Sequence, residues 1–267
     1  MTTSASPTSP PPSLSTRALT IRFGGHVAVD AVSADFYPGT LTVIVGPNGA
    51  GKTTYFNLVS GQLAASGGSV HLHGRDITRD GAAKRTRQGI GRAFQLTNLF
   101  PHLTVLENVR LAVQGTARPG LGQNLFSIWS SHKELIERAG HYLERVALAA
   151  RRDAFVGTLS HGDQRKLEVA MLLALEPSVM MFDEPTAGMS VDEVPVVLDL
   201  IRQVKLDSGK TVLLVEHKMD VVRQLADRIV VLHNGALVAD GEPGAVMQST
   251  IVQEAYLGTS TATHAPA

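Results

Sequence analysis

Short apolar segments bounded by glycine, proline or asparagine recur along the chain, and their length predicts β-strands rather than helices. The clearest is Leu41–Val45, which lies between two Pro/Gly pairs. Asn234-Gly235 separates two later segments and predicts a hairpin turn. The segments predicted to form strands are 18–23, 27–36, 41–45, 69–73, 91–94, 179–182, 211–216, 228–233 and 236–240.

Helical signals are concentrated in the middle of the chain and then alternate with the later strands. Thr104 with Glu107, and Ser131 with Glu134, form the S/T-x-x-E pattern of a capping box, which opens a helix. Further helices are predicted at about 52–60, at 168–176, from about 192 and after 217. This alternation predicts an α/β fold with a mainly parallel sheet and an inserted helical lobe.

Composition narrows the classes of protein that fit this pattern. The 267 residues are 43% hydrophobic and only 5% aromatic, which suits an aliphatic core of parallel strands. Lys+Arg and Asp+Glu are both 24, and this balance counts against a general nucleic-acid binder. The absence of cysteine excludes disulfides, thiolate metal sites and a cysteine nucleophile.

No segment is long and apolar enough to predict a membrane span. The most apolar stretch, 167–182, is interrupted by Glu168, Glu176 and Pro177. Residues 1–16 are rich in Ser, Thr and Pro, lack the features of a signal peptide and are predicted to form a disordered extension. We therefore expect a cytoplasmic chain whose membrane role, if any, comes through partners.

The segment between the strand at 41–45 and the helix at 52–60 matches the phosphate-binding pattern GxxxxGK[ST]. Its glycines let backbone N–H groups face phosphate oxygens, and the following helix N-terminus favours anions. In this pattern Lys52 reaches the β- and γ-phosphates and the Thr53 hydroxyl binds Mg²⁺. A plain glycine-rich turn is the alternative, and a chance match is expected in about one such chain in a hundred. The predicted nucleotide-binding residues of this loop are Gly46, Pro47, Asn48, Gly49, Ala50, Gly51, Lys52, Thr53 and Thr54.

Two carboxylates end the strand at 179–182. In P-loop NTPases the first, here Asp183, supports Mg²⁺ through a water. Glu184 is then placed to polarise the water that attacks the γ-phosphate. Two exposed acids at a strand end are the alternative, and the phosphate loop favours the functional interpretation.

Three further motifs stand in a fixed order around these two. Leu159-Ser-His-Gly-Asp-Gln164 precedes the strand at 179–182, Glu216-His217 ends the next strand, and Gln95 follows the strand at 91–94. This order resembles that of the ATP-binding-cassette (ABC) ATPases over about 16–258. The resemblance implies a P-loop NTPase core at 17–258 with an N-terminal antiparallel β subdomain and a helical subdomain at about 96–176. Segments 1–16 and 259–267 would be terminal tails.

The signature motif departs from the usual LSGGQ of that family. The resemblance implies that the Ser160 hydroxyl and the Gly162 amide contact the γ-phosphate of ATP held by a partner chain. His161 and Asp163 replace a glycine and a glutamine, and Ser190 replaces the usual aspartate of the loop after Asp183. Ser160 is also an acceptable helix cap, and a capped helix N-terminus is itself favourable for anions. We predict a negative φ at His161, because a positive one would strain a histidine.

The resemblance assigns roles to three isolated residues. His217 would contact the γ-phosphate and orient water. Gln95 would join the Mg²⁺ shell and link the site to membrane subunits. Phe23 falls where the family stacks an aromatic ring on adenine, although a core phenylalanine at a strand end is an equal alternative.

Four segments are similar to the ATPases of branched-chain amino acid importers: 22–29, 91–96 with 99–108, the insertion 115–130, and 254–258. The implied partners are two hydrophobic permeases, a second ATPase chain placed head to tail and, indirectly, an extracytoplasmic solute-binding protein, with no nucleic acid. The chain would then lie on the inner face of the cell membrane. Alternatives are the ATPase of a urea or amide importer or a lipopolysaccharide exporter, a soluble P-loop kinase, and a non-transport ABC protein acting on ribosomes or DNA.

Overall fold

The computed structural model describes residues 10–93, 99–116 and 133–250, and within them the chain forms two β-sheets and a group of helices. The predictions for Gln95, for the capping box at Ser131 and for segments 254–258 and 259–267 lie outside the described residues. The strands are β1 Leu14–Phe23, β2 His26–Phe36, β3 Leu41–Val45, β4 Gly67–Leu72, β5 Arg75–Asp76, β6 Ile90–Ala93, β7 Val179–Asp183, β8 Thr211–Val215, β9 Arg228–His233 and β10 Ala236–Gly241. The α-helices are α1 Lys52–Ser60, α2 Ala82–Gln88, α3 Val105–Thr116, α4 Lys133–Arg145, α5 His161–Ala174, α6 Val194–Ser208, α7 Met219–Leu225 and α8 Pro243–Gln248. Short 3₁₀ turns lie at Ala149–Arg151 and Val156–Thr158.

The larger sheet has the order β10-β9-β3-β8-β7-β6 and is parallel except for β10. Strands β3, β7 and β8 are buried along their whole length, which explains their aliphatic sequences. Asn234 and Gly235 both have positive φ and form the predicted turn between β9 and β10. Because parallel strands end at one edge, the residues after β3, β7 and β8 meet there. The predicted mainly parallel sheet is confirmed.

The smaller sheet is antiparallel, with the order β2-β1-β4-β5, and it packs against α1. The hydroxyl groups of Thr16 and Tyr55 are 3.0 Å apart in a fully buried hydrogen bond. Strand β1 begins at Leu14, so residues 14–16 belong to this sheet and not to the predicted tail. The expected N-terminal antiparallel unit is present.

Helices α3, α4 and α5 follow β6 and precede β7 in the sequence, and they pack against one another. The Glu107 carboxylate accepts hydrogen bonds from the Thr104 N–H and hydroxyl, both at 2.8 Å, so the predicted capping box is confirmed. Helix α5 begins at His161, seven residues before the start expected from apolar periodicity. In the described residues, no helix combines the length and apolarity needed to cross a bilayer.

Candidate nucleotide site

The loop between β3 and α1 packs closely against the backbone at Leu232 and Ala28. Gly46, Gly49 and Gly51 have φ values of 154°, 81° and 94°. A Cβ at Gly46 would lie 2.1 Å from the Leu232 carbonyl oxygen, and one at Gly51 would lie 2.3 Å from the Ala28 carbonyl oxygen. No side chain of the described residues caps α1, and the first N–H groups of a helix have no acceptor within the helix. This geometry suits a phosphate.

Lys52 starts α1 and folds back over the loop. Its Nζ donates to the carbonyl oxygens of Gly46 at 2.7 Å and Pro47 at 3.0 Å, and the residue is 7% exposed. Burial lowers the pKa of Lys52, whereas the charges of Glu184 and Asp183 raise it. Thr53 and Thr54 follow in the same helical turn. The ammonium is therefore held at the mouth of the loop.

Asp183 ends β7 and is paired with a residue that the sequence did not single out. Arg92, on the adjacent strand β6, donates from Nη2 to Asp183 Oδ2 at 2.7 Å. Burial raises the pKa of Asp183, and the Arg92 guanidinium opposes this shift. The signal that could have revealed Arg92 is a single charge within an otherwise apolar strand.

Glu184 and His217 are brought together, as the strand order predicts. Glu184 has a φ of 48°, and its N–H donates to the Val215 carbonyl oxygen at 3.0 Å. His217 Nδ1 lies 3.8 Å from Glu184 Oε1, and both side chains are about half exposed. Both groups are therefore accessible from solvent at the carboxyl edge of the sheet.

A buried acid fixes the backbone around His217. Glu216 is fully buried, and its Oε2 accepts the N–H groups of His217 at 2.8 Å and Lys218 at 3.1 Å. Its Oε1 accepts the Thr186 hydroxyl. Thr186 and Glu216 were not among the predicted site residues, although both flank predicted ones.

The signature residues lie at the N-terminus of α5. Ser160 is the N-cap, and its Oγ accepts the Asp163 N–H at 3.1 Å, so the helix-cap interpretation is confirmed. His161 is the first helical residue and is absent from the residues with positive φ, as predicted. The Gly162 N–H donates to Glu193 Oε1 at 3.1 Å. Within the described residues, the polar contacts of Ser160 and Gly162 run to Asp163 and Glu193 and not to the phosphate loop.

Phe23 ends β1 and is 50% exposed, so the alternative of a core phenylalanine is wrong. Its ring is available as a surface platform next to the β1–β2 turn.

The glycine loop between a parallel strand and a helix, with its lysine and the carboxylates of the neighbouring strand, defines a P-loop nucleotide-binding ATPase. The family profile described as ABC transporter matches residues 29–187. The chain belongs to the ABC transporter family and is an ABC-type ATPase.

Similar proteins extend this match over most of the chain. The high-affinity branched-chain amino acid transport ATP-binding protein LivG of Escherichia coli (strain K12) is 36% identical over 92% of this chain and 98% of its own. The corresponding protein BraF of Pseudomonas aeruginosa is 37% identical with the same coverage.

Two solved structures are similar in fold. The ADP conformation of the cassette MJ1267 has a TM-score of 0.80 at 31% identity and covers 92% of this chain and 98% of its own. A dimeric cassette, MJ0796 bound to ADP and Pi, has a TM-score of 0.73 at 26% identity, with 86% and 98% covered. Membership of the ABC transporter family excludes the alternative that the chain is a soluble P-loop kinase.

Proposed function

We propose that this ABC ATPase supplies the ATP-hydrolysing step of an importer for branched-chain amino acids. The observation that carries the proposal is sequence similarity to LivG and BraF, two branched-chain amino acid transport ATP-binding proteins. They are 36% and 37% identical to this chain over 92% of its length. It is supported by the strand order, since the phosphate loop follows β3, Asp183 and Glu184 lie at the end of β7, and His217 follows β8 at the same edge of the sheet.

ATP would bind with its phosphates in the loop 46–54, where the amides and Lys52 meet the anionic oxygens. The Lys52 ammonium would exchange its two carbonyl acceptors for phosphate oxygens, which are stronger acceptors. Phe23, exposed at the end of β1, would stack on the adenine.

The residues present fit a Mg²⁺ ion. Among the described residues the donor set is a hydroxyl and a carboxylate, which are hard oxygen ligands, and the Asp183 Oδ2 accepts a hydrogen bond from Arg92. Thr53, Asp183 through a water, and Gln95 would hold the ion. When bound, Mg²⁺ would neutralise charge on the β- and γ-phosphate oxygens.

Glu184 would act as the general base toward the attacking water. A carboxylate at a half-exposed position can accept that proton, and His217, 3.8 Å away, would orient the water and contact the γ-phosphate. The Glu216 carboxylate accepts the His217 N–H and so keeps the His217 backbone in place.

The signature would act across a dimer. Ser160 and Gly162 lie at the start of α5, and among residues 10–93, 99–116 and 133–250 their polar contacts do not reach the phosphate loop. A second chain placed head to tail, identical or related, would bring its own signature to this loop. The dimeric MJ0796 cassette shows that a protein of this fold can pair.

Closure and reopening of the dimer would move two permeases in the membrane through the segment near 95–101. The chain would then lie on the inner face of the cell membrane, and an extracytoplasmic solute-binding protein would deliver the amino acid. Uptake would follow the ATP cycle because hydrolysis at Glu184 resets the dimer.

The test is isolation of the full chain from detergent-solubilised membranes, followed by reconstitution of the captured complex into liposomes. We expect hydrophobic permeases to co-purify and ATP to drive uptake of radiolabelled leucine, isoleucine or valine. Ser160→Ala should slow uptake because it removes the contact across the dimer. It also removes the N-cap of α5, so the variant is informative only if it still co-purifies with the permeases. Uptake of urea or an amide instead would overturn the substrate class, as would export of lipopolysaccharide. Recovery of the chain without any permease would favour a non-transport ABC protein.

A further inference from the structure

The carboxylate of Glu193 lies against the first turn of the signature helix α5. Its Oε1 accepts the Gly162 N–H at 3.1 Å. Its Oε2 accepts the N–H and the hydroxyl of Ser190, at 3.2 and 3.1 Å. The fit is close, because a Cβ at Gly162 would lie 2.3 Å from Glu193 Oε1. One side chain thus joins the signature to the loop that follows Asp183.

The Gly162 amide is one of the first N–H groups of α5, which have no acceptor within the helix. An anionic oxygen is the acceptor that such a position favours, whether it belongs to a carboxylate or to a phosphate. The pKa of Glu193 is lowered mainly by the hydrogen bonds from the Ser190 N–H and hydroxyl. The Gly162 N–H and the nearby His161 make smaller contributions in the same direction. The carboxylate therefore carries its negative charge at neutral pH.

We propose that Glu193 is an intramolecular stand-in for the γ-phosphate, a role that rests on the head-to-tail dimer proposed above. In the free chain its carboxylate occupies the Gly162 N–H. When the partner's ATP arrives, a phosphate oxygen replaces Oε1 and the Glu193 side chain swings away. Glu193 is thus a positioning residue that competes with the nucleotide of the other chain.

Release of Glu193 also affects Ser190. The same carboxylate accepts the Ser190 N–H and hydroxyl, so its departure removes these two hydrogen bonds from the loop that begins at Thr186, while the Ser190 carbonyl still accepts the Glu193 and Val194 N–H groups. That loop is tied at its other end to Glu216 and hence to the backbone of His217. Arrival of ATP at the signature of one chain would therefore be communicated to the hydrolytic residues of the same chain.

A competing anion and a purely structural cap predict opposite results when the charge is removed. If Glu193 only stabilised α5, Glu193→Gln would weaken every activity that needs the signature. If Glu193 competes with the phosphate, the neutral and similarly shaped glutamine yields more readily, and less ATP closes the dimer. The sign of the effect decides between the two.

The first measurement is the ATP concentration that gives half-maximal turnover of the purified full chain. We expect Glu193→Gln to lower it roughly two- to fivefold, the range for one anion near a helix N-terminus, with the maximal rate retained. The matched control is Asp192→Asn, which removes the same charge from the adjacent exposed residue and should leave this concentration unchanged. ADP binding, which uses the phosphate loop and Phe23 of the same chain and not the signature of the partner, should be the same in wild type, Glu193→Gln and Asp192→Asn. An unchanged or increased ATP requirement in Glu193→Gln would overturn the proposal.

The second measurement needs no dimer. Hydrogen exchange of the Gly162 amide in the nucleotide-free chain should be faster in Glu193→Ala than in Asp192→Ala, because Glu193 is its acceptor. Equal exchange in both variants would show that the contact is absent in solution.

The dependence of wild-type turnover on chain concentration separates this proposal from the proposed function. Turnover per chain should rise with concentration, since each site needs residues from two chains. If it is constant and size-exclusion chromatography with ATP shows only monomer, with or without the related partner chain, the head-to-tail dimer fails and Glu193 has nothing to compete with. If it rises and Glu193→Gln behaves like Asp192→Asn, only the role of Glu193 is wrong.

Discussion

Arg92 and Asp183 form an ion pair inside the protein, with Nη2 and Oδ2 2.7 Å apart and only 8% and 3% of the side chains exposed. Arg92 also donates to Asn57 Oδ1 and Ser60 Oγ on α1, and its guanidinium lies 5.6 Å from the centre of the Phe56 ring. One side chain therefore connects the edge strand β6, the helix after the phosphate loop and the carboxylate at the end of β7.

Arg92→Ala should lower the free energy of unfolding by about 3–5 kcal/mol, because it leaves the Asp183 carboxylate buried without its partner. Urea unfolding of the nucleotide-free chain measures this loss. The control is Arg17→Ala, which breaks an exposed pair with Asp35 and should change stability by less than about 1 kcal/mol. Equal losses in the two variants would contradict the importance of the buried pair.

Lys52→Ala should abolish ATP hydrolysis and strongly weaken nucleotide binding, because it removes the cation that meets the β- and γ-phosphates. Fluorescent nucleotide titration and steady-state turnover measure the two effects. Lys84→Ala, an exposed lysine on α2, is the matched control and should behave as wild type. Normal turnover without Lys52 would refute the assignment of the phosphate loop.

Glu184→Gln should retain ATP binding and slow hydrolysis by roughly 10²–10⁴-fold, since the amide keeps the shape of the side chain and loses its basicity. Single-turnover hydrolysis and size-exclusion chromatography with ATP are the measurements, and an ATP-stabilised dimer is expected. A wild-type rate in this variant would make His217, 3.8 Å away, the leading candidate for the base.

His161→Gly should change the rate of ATP hydrolysis by less than about tenfold, or 1.4 kcal/mol of barrier. His161 has an ordinary backbone conformation and is exposed, so no strain is relieved by glycine. The comparison is Gly162→Ala, whose added methyl group would displace Glu193 Oε1. A larger effect of His161→Gly, with activity that depends on pH near neutrality, would place the imidazole in the site.

Glu107→Ala should destabilise the chain by about 1 kcal/mol at pH 7 through loss of the capping box. Hydrogen bonds from the Thr104 N–H and hydroxyl lower the pKa of Glu107, so its stabilisation is present above the unfolded-state pKa and disappears as the pH falls below about 4. The difference in unfolding free energy between wild type and variant should shrink accordingly. Glu137→Ala, which removes an exposed acid within α4 and no capping box, is the control.

The elements that the sequence predicted well are those fixed by neighbouring residues. The capping box of Thr104 and Glu107, the Asn234-Gly235 turn and the strand–loop–helix around Lys52 each depend on a few adjacent positions. Their geometry follows from local backbone preferences and hydrogen bonds, and the structure has each of them in the expected place.

What the sequence did not reveal depends on pairs far apart in the chain. Thr16 belongs to β1 through pairing with Ala34 and Val70, and its hydroxyl meets Tyr55, 39 positions later. Arg92 lies 91 positions from Asp183, and Gly162 lies 31 positions from Glu193. A single charge in an apolar strand marks Arg92, but no local pattern identifies which residue each of these partners meets, because that is decided by strand order and helix packing.

The positive φ of Glu184 has a consequence for the substitutions that position 184 can tolerate. At a φ of 48°, glycine, asparagine and aspartate are accommodated with least strain, whereas valine, isoleucine and threonine carry a steric penalty. In a saturation library, inactive clones with β-branched residues at this position would report a distorted backbone as well as a missing base. Folding yield and hydrolysis must therefore be scored separately, and glutamine is the substitution that changes the chemistry while keeping an unbranched side chain of the same length.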